Sequence, residues 1–246
     1  MMQNQQPKNE ARIAIEPGFV WDGQDAYLFD IDGTLMRSRD RVHYESVALS
    51  VRRVTGFEVT LAGVMIHGGT DTAILREACR QAGVPAKVLK EHHDAILEAM
   101  RSSVAERRHE LDPILTPGVK ETLRHLAGKG ALLGVASGNL EAIGWIKLEK
   151  AGLREWFRFG GFSDNFPVRP ELVGQAAQKA RELAGPEAKV CVVGDTPRDI
   201  DAAHANSLPV IAVATGRSSY DELIECQPEV CVSTLADLLT ASRGAL

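Results

Sequence analysis

Short, unbroken apolar runs recur along this chain, each followed at once by an acidic or hydroxyl-bearing residue. Ala26-Tyr27-Leu28-Phe29 leads into Asp30, Ala131-Leu132-Leu133-Gly134-Val135-Ala136 into Ser137, and Val190-Cys191-Val192-Val193-Gly194 into Asp195. A run that is apolar throughout fits a strand covered on both faces, as in a parallel sheet. Between the runs the apolar positions fall at helical spacing. The pattern predicts helix 117–128, strand 131–136, helix 139–151, strand 158–162, helix 170–184, strand 189–194, helix 198–206 and strand 209–213 after a first strand at 26–30, with a weak strand at 229–232 and a helix at 234–240. Strands alternating with helices imply a parallel sheet joined by right-handed crossovers.

From about 40 to 110 the rhythm is helical only. Val42, Val47, Val51 and Val54 form one stripe, Ile74, Leu75, Ala78 and Ala82 a second, and Ile96, Leu97 and Met100 a third. Such stripes bury one face of a helix, so a small bundle is expected between the first strand and the rest of the sheet. The largely polar run Met36 to Arg41 on one side and the Pro-containing stretch Leu111 to Gly118 on the other mark its hinges.

Charge and cysteine usage narrow the class. With 33 acidic and 28 basic residues in 246, net −5, the chain has no electrostatic footprint for nucleic acid or an anionic membrane, and a small ligand is expected. Cys79, Cys191, Cys226 and Cys231 have no Cys-x-x-Cys spacing, which points to a reduced, cytoplasmic setting. Met1 to Glu10 is polar, without an apolar stretch of signal-peptide length, and no run approaches the roughly 20 apolar residues of a membrane helix.

The ends of the three strands carry the chemistry. Asp30-Ile31-Asp32-Gly33-Thr34-Leu35 sets two carboxylates two residues apart where open α/β sheets bind ligands, and Gly33 lets the chain turn away. Gly194-Asp195-Thr196-Pro197-Arg198-Asp199 supplies an acid and a second one four residues later, and Ser137-Gly138-Asn139 supplies a hydroxyl and free amides ahead of a helix. In this order the motifs resemble those of the haloacid dehalogenase-like hydrolases, in the branch of the phosphoglycolate phosphatases and β-phosphoglucomutases. The resemblance runs from about Ala26 to about Leu239. It implies an α/β fold: a doubly wound, Rossmann-like parallel-sheet core with an inserted α-helical cap domain. The expected boundaries are a flexible tail over 1–20, the core over 21–38 and 112–246, and the cap over 39–111.

The same resemblance assigns roles. It makes Asp30 the nucleophile that forms an aspartyl-phosphate, and Asp32 the acid that protonates the leaving oxygen and then activates water. It gives Mg2+ the Asp30 carboxylate, the Asp32 backbone carbonyl and the Asp195 carboxylate, with Asp199 as an outer or water-mediated partner. An all-oxygen donor set suits such a hard cation better than zinc. Ser137, Gly138 and Asn139 would bind phosphate, Ser137 also belonging to the catalytic set. Where the family carries a lysine, this chain has Val168-Arg169-Pro170, so Arg169 is the expected cation, with Lys147 and Lys179 as alternatives. In Gly68-Gly69-Thr70-Asp71, Thr70 and Asp71 are candidates both for capping a helix and for contacting substrate. The expected activity is Mg2+-dependent hydrolysis of a small phosphorylated metabolite by a monomer or homodimer. A phosphomutase of the β-phosphoglucomutase type and a non-turnover phosphate-binding switch are the alternatives.

Overall fold

The computed structural model describes residues 11–164 and 166–243. A seven-stranded sheet forms its centre, in the order β1 (Ile13–Ile15), β9 (Val230–Val232), β8 (Val210–Val213), β7 (Val190–Gly194), β2 (Ala26–Phe29), β5 (Leu132–Ala136) and β6 (Phe159–Gly161). Neighbours run parallel except β1, which is antiparallel to β9. Because successive side chains of a strand point to opposite faces, each apolar run feeds two cores. Tyr27, Phe29, Val135 and Val193 pack on the side of α4 (Val119–Gly128), α5 (Glu141–Lys150) and α9 (Leu235–Arg243). Ala26, Leu28, Val190 and Val192 pack on the side of α6 (Arg169–Ala184), α7 (Pro197–Ala205) and α8 (Tyr220–Glu225). The doubly wound parallel core is thus the one expected, and its predicted elements recur with shifts of a few residues at their ends.

Two expectations are corrected. Within the expected tail, Ile13–Ile15 is a strand paired with Val230–Val232, and the Arg12 guanidinium reaches Asp221 at 2.7 Å; Met1 to Glu10 lie outside the described residues. The hinges are not plain polar breaks either, since β3 (Met36–Ser38) and β4 (Pro113–Leu115) pair antiparallel, Met36 opposite Leu115. The chain therefore leaves and re-enters the sheet layer along one two-stranded ribbon.

Beyond that ribbon lie α1 (Val42–Thr55), α2 (Asp71–Gln81) and α3 (Ala86–Glu106), whose apolar stripes meet in a core of Val47, Val51, Leu75, Ala78, Ile96 and Met100. Leu140 and Ile143, at the start of α5, join the same cluster, so the helical insert rests on the end of the sheet where the acid motifs emerge. The four cysteines are free thiols, and among the described residues no helix is long and apolar enough to cross a membrane.

Candidate active site

Strand β2 is flanked by β5 and β7 with Phe29 in register with both Val135 and Val193. Asp30, Ser137 and Asp195 therefore leave three adjacent strands at nearly the same height, at the carboxyl edge where the connections diverge to opposite sides. The turn after Asp30 requires glycine: Gly33 has φ +98°, and a Cβ there would lie 2.3 Å from Asp195 Oδ2. Thr34, next along, donates its hydroxyl to Asp195 Oδ1 at 3.0 Å.

Asp30, Asp195 and Asp199 are all buried, with one carboxylate oxygen from each within 4.8 Å of the others. Burial, with the neighbouring Asp199 and Asp32 charges, pushes the Asp30 carboxyl up to about 6 although Arg169 pulls it down. Burial, Asp30 and Asp199 push Asp195 up to about 8. Arg169 is the protein's own counter-charge. Its Nη2 lies 2.9 Å from Asp30 Oδ1 and 2.5 Å from Asp199 Oδ1, while Nε donates to Asp199 Oδ1 at 2.8 Å. Burial disfavours the guanidinium's charge, but Asp199 and Asp30 outweigh it and raise the pKa, so the group is a permanent cation. One cation does not neutralise three carboxylates. The raised Asp30 and Asp195 pKa values express that shortfall, and a hard divalent ion between them fits the donor set. Asp199 is already engaged, one oxygen by Arg169 and the other by the amide and hydroxyl of Thr196 at 3.0 and 2.7 Å. That engagement suits an outer position.

Asp32 is held by a different cation. Lys147 Nζ donates to Asp32 Oδ2 at 2.7 Å and to Asn139 Oδ1 at 2.9 Å, and Asn139 Nδ2 donates both to Asp32 Oδ2 and to Ser137 Oγ at 2.9 Å. Burial works to raise the Asp32 pKa, but the charge and hydrogen bond of Lys147, with His43 and Asn139 helping, hold it below the usual carboxylate range. Lys147 and Arg169 thus divide the work that sequence reasoning offered to one or the other: Lys147 meets Asp32, and Arg169 meets Asp30. Lys179 lies elsewhere, bonded to the Gly160 carbonyl. Asn139 is not the N-cap of α5, a position taken by Leu140, and serves the Asp32 network instead.

The helical insert seals against this edge through the segment before α2. The Asp71 amide donates to the Gly138 carbonyl at 2.7 Å, Asp71 Oδ2 accepts from the Leu140 amide at 2.7 Å and lies 3.0 Å from His43 Nε2, and Arg169 Nη1 donates to the Gly68 carbonyl at 3.2 Å. A Cβ on Gly138 would lie 2.1 Å from the Gly69 carbonyl oxygen, so this approach excludes any side chain. Thr70 Oγ1 caps α2 by accepting from the Ala73 amide and donates to the Pro167 carbonyl at 2.7 Å. The Thr70 hydroxyl is thus spent on capping and docking, whereas Asp71 borders the cavity between insert and sheet. That cavity, of about 240 Å³, is lined on the sheet side by Asp30, Asp32, Ser137, Gly138, Lys147 and Arg169. The roles of Lys147, Thr34 and His43 were not legible in the motifs, although Lys147 shares the buried face of α5 with Ile143 and Leu148, an unusual place for a lysine.

The model of the haloacid dehalogenase-like hydrolases matches residues 24–206. Phosphoglycolate phosphatase of Agrobacterium fabrum is 27% identical over 229 residues, covering 89% of this chain and 94% of that protein. Phosphoglycolate phosphatase of Synechococcus elongatus is 29% identical over 217 residues, covering 88% and 96%. Among solved structures, a predicted phosphoglycolate phosphatase from Haemophilus somnus superposes with TM-score 0.64 at 22% identity, covering 89% of this chain and 98% of that one. β-Phosphoglucomutase from Clostridium difficile gives 0.63 at 17% identity, covering 90% and 96%. At such identities the two structures speak for the fold.

Proposed function

The chain belongs to the haloacid dehalogenase-like hydrolases and is a phosphoric monoester hydrolase, and we propose that it is a Mg2+-dependent phosphatase that cleaves a small organic phosphomonoester through an aspartyl-phosphate on Asp30. The observation that carries this is the pairing of Asp30 with Arg169 beside Asp195, while Asp32, two residues on, answers to Lys147 and Asn139. Two neighbouring carboxylates are thereby placed in different electrostatic surroundings, which lets one attack and the other move a proton.

Arg169 holds Asp30 ionised and aimed. Asp32, ionised in the free protein, takes up a proton as the negative phosphate arrives beside it; the Asp30 oxygen then attacks phosphorus, the bond to the ester oxygen breaks, and Asp32 delivers that proton to the leaving alkoxide. Asp32 is left as a carboxylate that Lys147 and Asn139 stabilise. It then takes a proton from the water that attacks phosphorylated Asp30, so inorganic phosphate leaves and both side chains return to their starting states. Ser137 and the Gly138 amide hold the phosphate oxygens. Asp30, Asp195 and the Asp32 carbonyl would hold Mg2+, with Asp199 behind a water; when bound, the ion supplies charge neutralisation between phosphate and carboxylates. The insert acts as a cap that keeps bulk water from the covalent intermediate. The four free thiols agree with a cytoplasmic location.

A phosphomutase reading rests on likeness of fold, and the curated relatives favour hydrolysis. The test is inorganic phosphate release from a panel of phosphomonoesters, with 2-phosphoglycolate included because relatives are named for it. Turnover should require Mg2+ and disappear in Asp30→Asn. Asp30→Asn activity within tenfold of the parent, about 1.4 kcal/mol in barrier, would refute the nucleophile.

A further inference from the structure

On the insert's side of the cavity, residues of the insert's own hydrophobic core stand beside Asp40, His43, His67 and Asp71. Val47, Leu61 and Ile74 are buried at 3%, 6% and 9% exposure, belong to the cluster that holds α1, α2 and α3 together, and also line the cavity, joined there by Tyr44 and Ile66. The charged groups on this wall do not favour a second anion. Asp71 is an acid. His43 is held by it at 3.0 Å, and loss of water around the His67 ring, with nearby Arg217, lowers the His67 pKa and keeps that ring neutral near pH 7. The lining cations on the opposite side, Lys147 and Arg169, are bound to Asp32 and Asn139 and to Asp30 and Asp199.

Resting on the phosphatase reading, we propose that the substrate is the phosphate ester of a compact, uncharged and largely apolar alcohol, its organic group lying against Tyr44, Val47, Leu61, Ile66 and Ile74. A carboxylate on that group would surrender its hydration to an apolar wall and approach the Asp71 carboxylate. A few carbons instead bury apolar surface there and fill the roughly 240 Å³ available. The phosphate end is common to every ester the catalytic edge accepts, so discrimination falls to this wall.

The test uses the full chain with Mg2+ and two readouts. In turnover, kcat/KM for butyl phosphate should exceed that for 2-phosphoglycolate at least tenfold. In calorimetric binding, butylphosphonate should bind at least tenfold tighter than 3-phosphonopropanoate, which carries a carboxylate in place of the alkyl end. Ile66→Lys, at a half-buried loop position outside the catalytic edge, should reverse both preferences by placing a cation on the wall. Equal or greater preference for the carboxylate compounds in the parent overturns the proposal. Tighter butylphosphonate binding without phosphate release from any ester upholds the apolar wall and overturns the phosphatase reading, and binding of neither phosphonate overturns the proposal.

Discussion

Replacing Lys147 with methionine isolates the control of Asp32 from everything else at the site. The side chain keeps its length and its place on the buried face of α5, and it loses only the ammonium that reaches Asp32 at 2.7 Å and Asn139 at 2.9 Å. A hydrogen bond to a charged group contributes about 1.5–3 kcal/mol. Lys147 is 5% exposed but the Asp32 side chain is 43% exposed, so solvent weakens the pair and the low end, about 1.5 kcal/mol, applies. That corresponds to roughly tenfold in rate. The direction by step follows from the proton. Without Lys147 the Asp32 carboxylate holds its proton more tightly, so it remains able to protonate the leaving group but is less often ionised to activate water as the pH falls. The acid limb of kcat should move to higher pH, and acid quenching should trap more phosphorylated enzyme at low pH than in the parent. Lys147→Arg, which restores the charge, should recover part of both effects. A variant with kcat within twofold of the parent and an unmoved acid limb would show that Lys147 merely fills space.

Other perturbations probe the metal edge and the seam. Because Asp195 is raised to about 8 in the folded protein, far above its unfolded value, the metal-free native state holds a proton that the unfolded chain has lost. Its stabilising effect is full below about pH 4 and fades as the pH rises to about 8; in chelator, the parent's Tm should fall relative to Asp195→Asn between pH 6 and 8.5, and parallel curves would contradict this. Magnesium titrations should show Asp195→Ala losing affinity much more than Asp199→Ala, since both Asp199 oxygens are already bonded; the reverse order would exchange their positions. Arg169→Lys keeps a charge but cannot serve Asp30, Asp199 and the Gly68 carbonyl together, so kcat/KM should fall on the order of tenfold. Gly138→Ala, whose Cβ would meet the Gly69 carbonyl at 2.1 Å, should speed hydrogen exchange over 66–72 while leaving the strand amides protected.

What the sequence makes legible is what is contiguous in it. Asp30 and Asp32 fall within three residues, Asp195 and Asp199 within one helical turn, and each pair follows an unbroken apolar strand, so strand type, strand end and acid are read from one window. Arg169 is legible for the same reason, lying against Pro170 at the start of α6. Partners brought together only by folding leave a weaker trace. Lys147 meets Asp32 across 115 positions, and Ile13–Ile15 finds its partner strand more than 200 positions away, so neither has a local signal of its role. Thr70 shows the opposite limit: a polar residue ahead of a helix reads equally as cap or ligand contact, and the bond that docks it to the Pro167 carbonyl appears only in the fold.

The seam suits an arginine at position 169. Nε and Nη2 face Asp199 and Asp30, while Nη1 crosses to the Gly68 carbonyl of the insert. A lysine offers a single point of charge, whereas a planar guanidinium can neutralise two carboxylates and still donate along another edge. The guanidinium that neutralises Asp30 and Asp199 therefore also holds the insert down, and Asp71 repeats the arrangement by bonding Gly138 and Leu140 at the end of β5 while bordering the cavity. Closure and assembly of the site share the same contacts, so substitutions along this seam should move kcat and KM together.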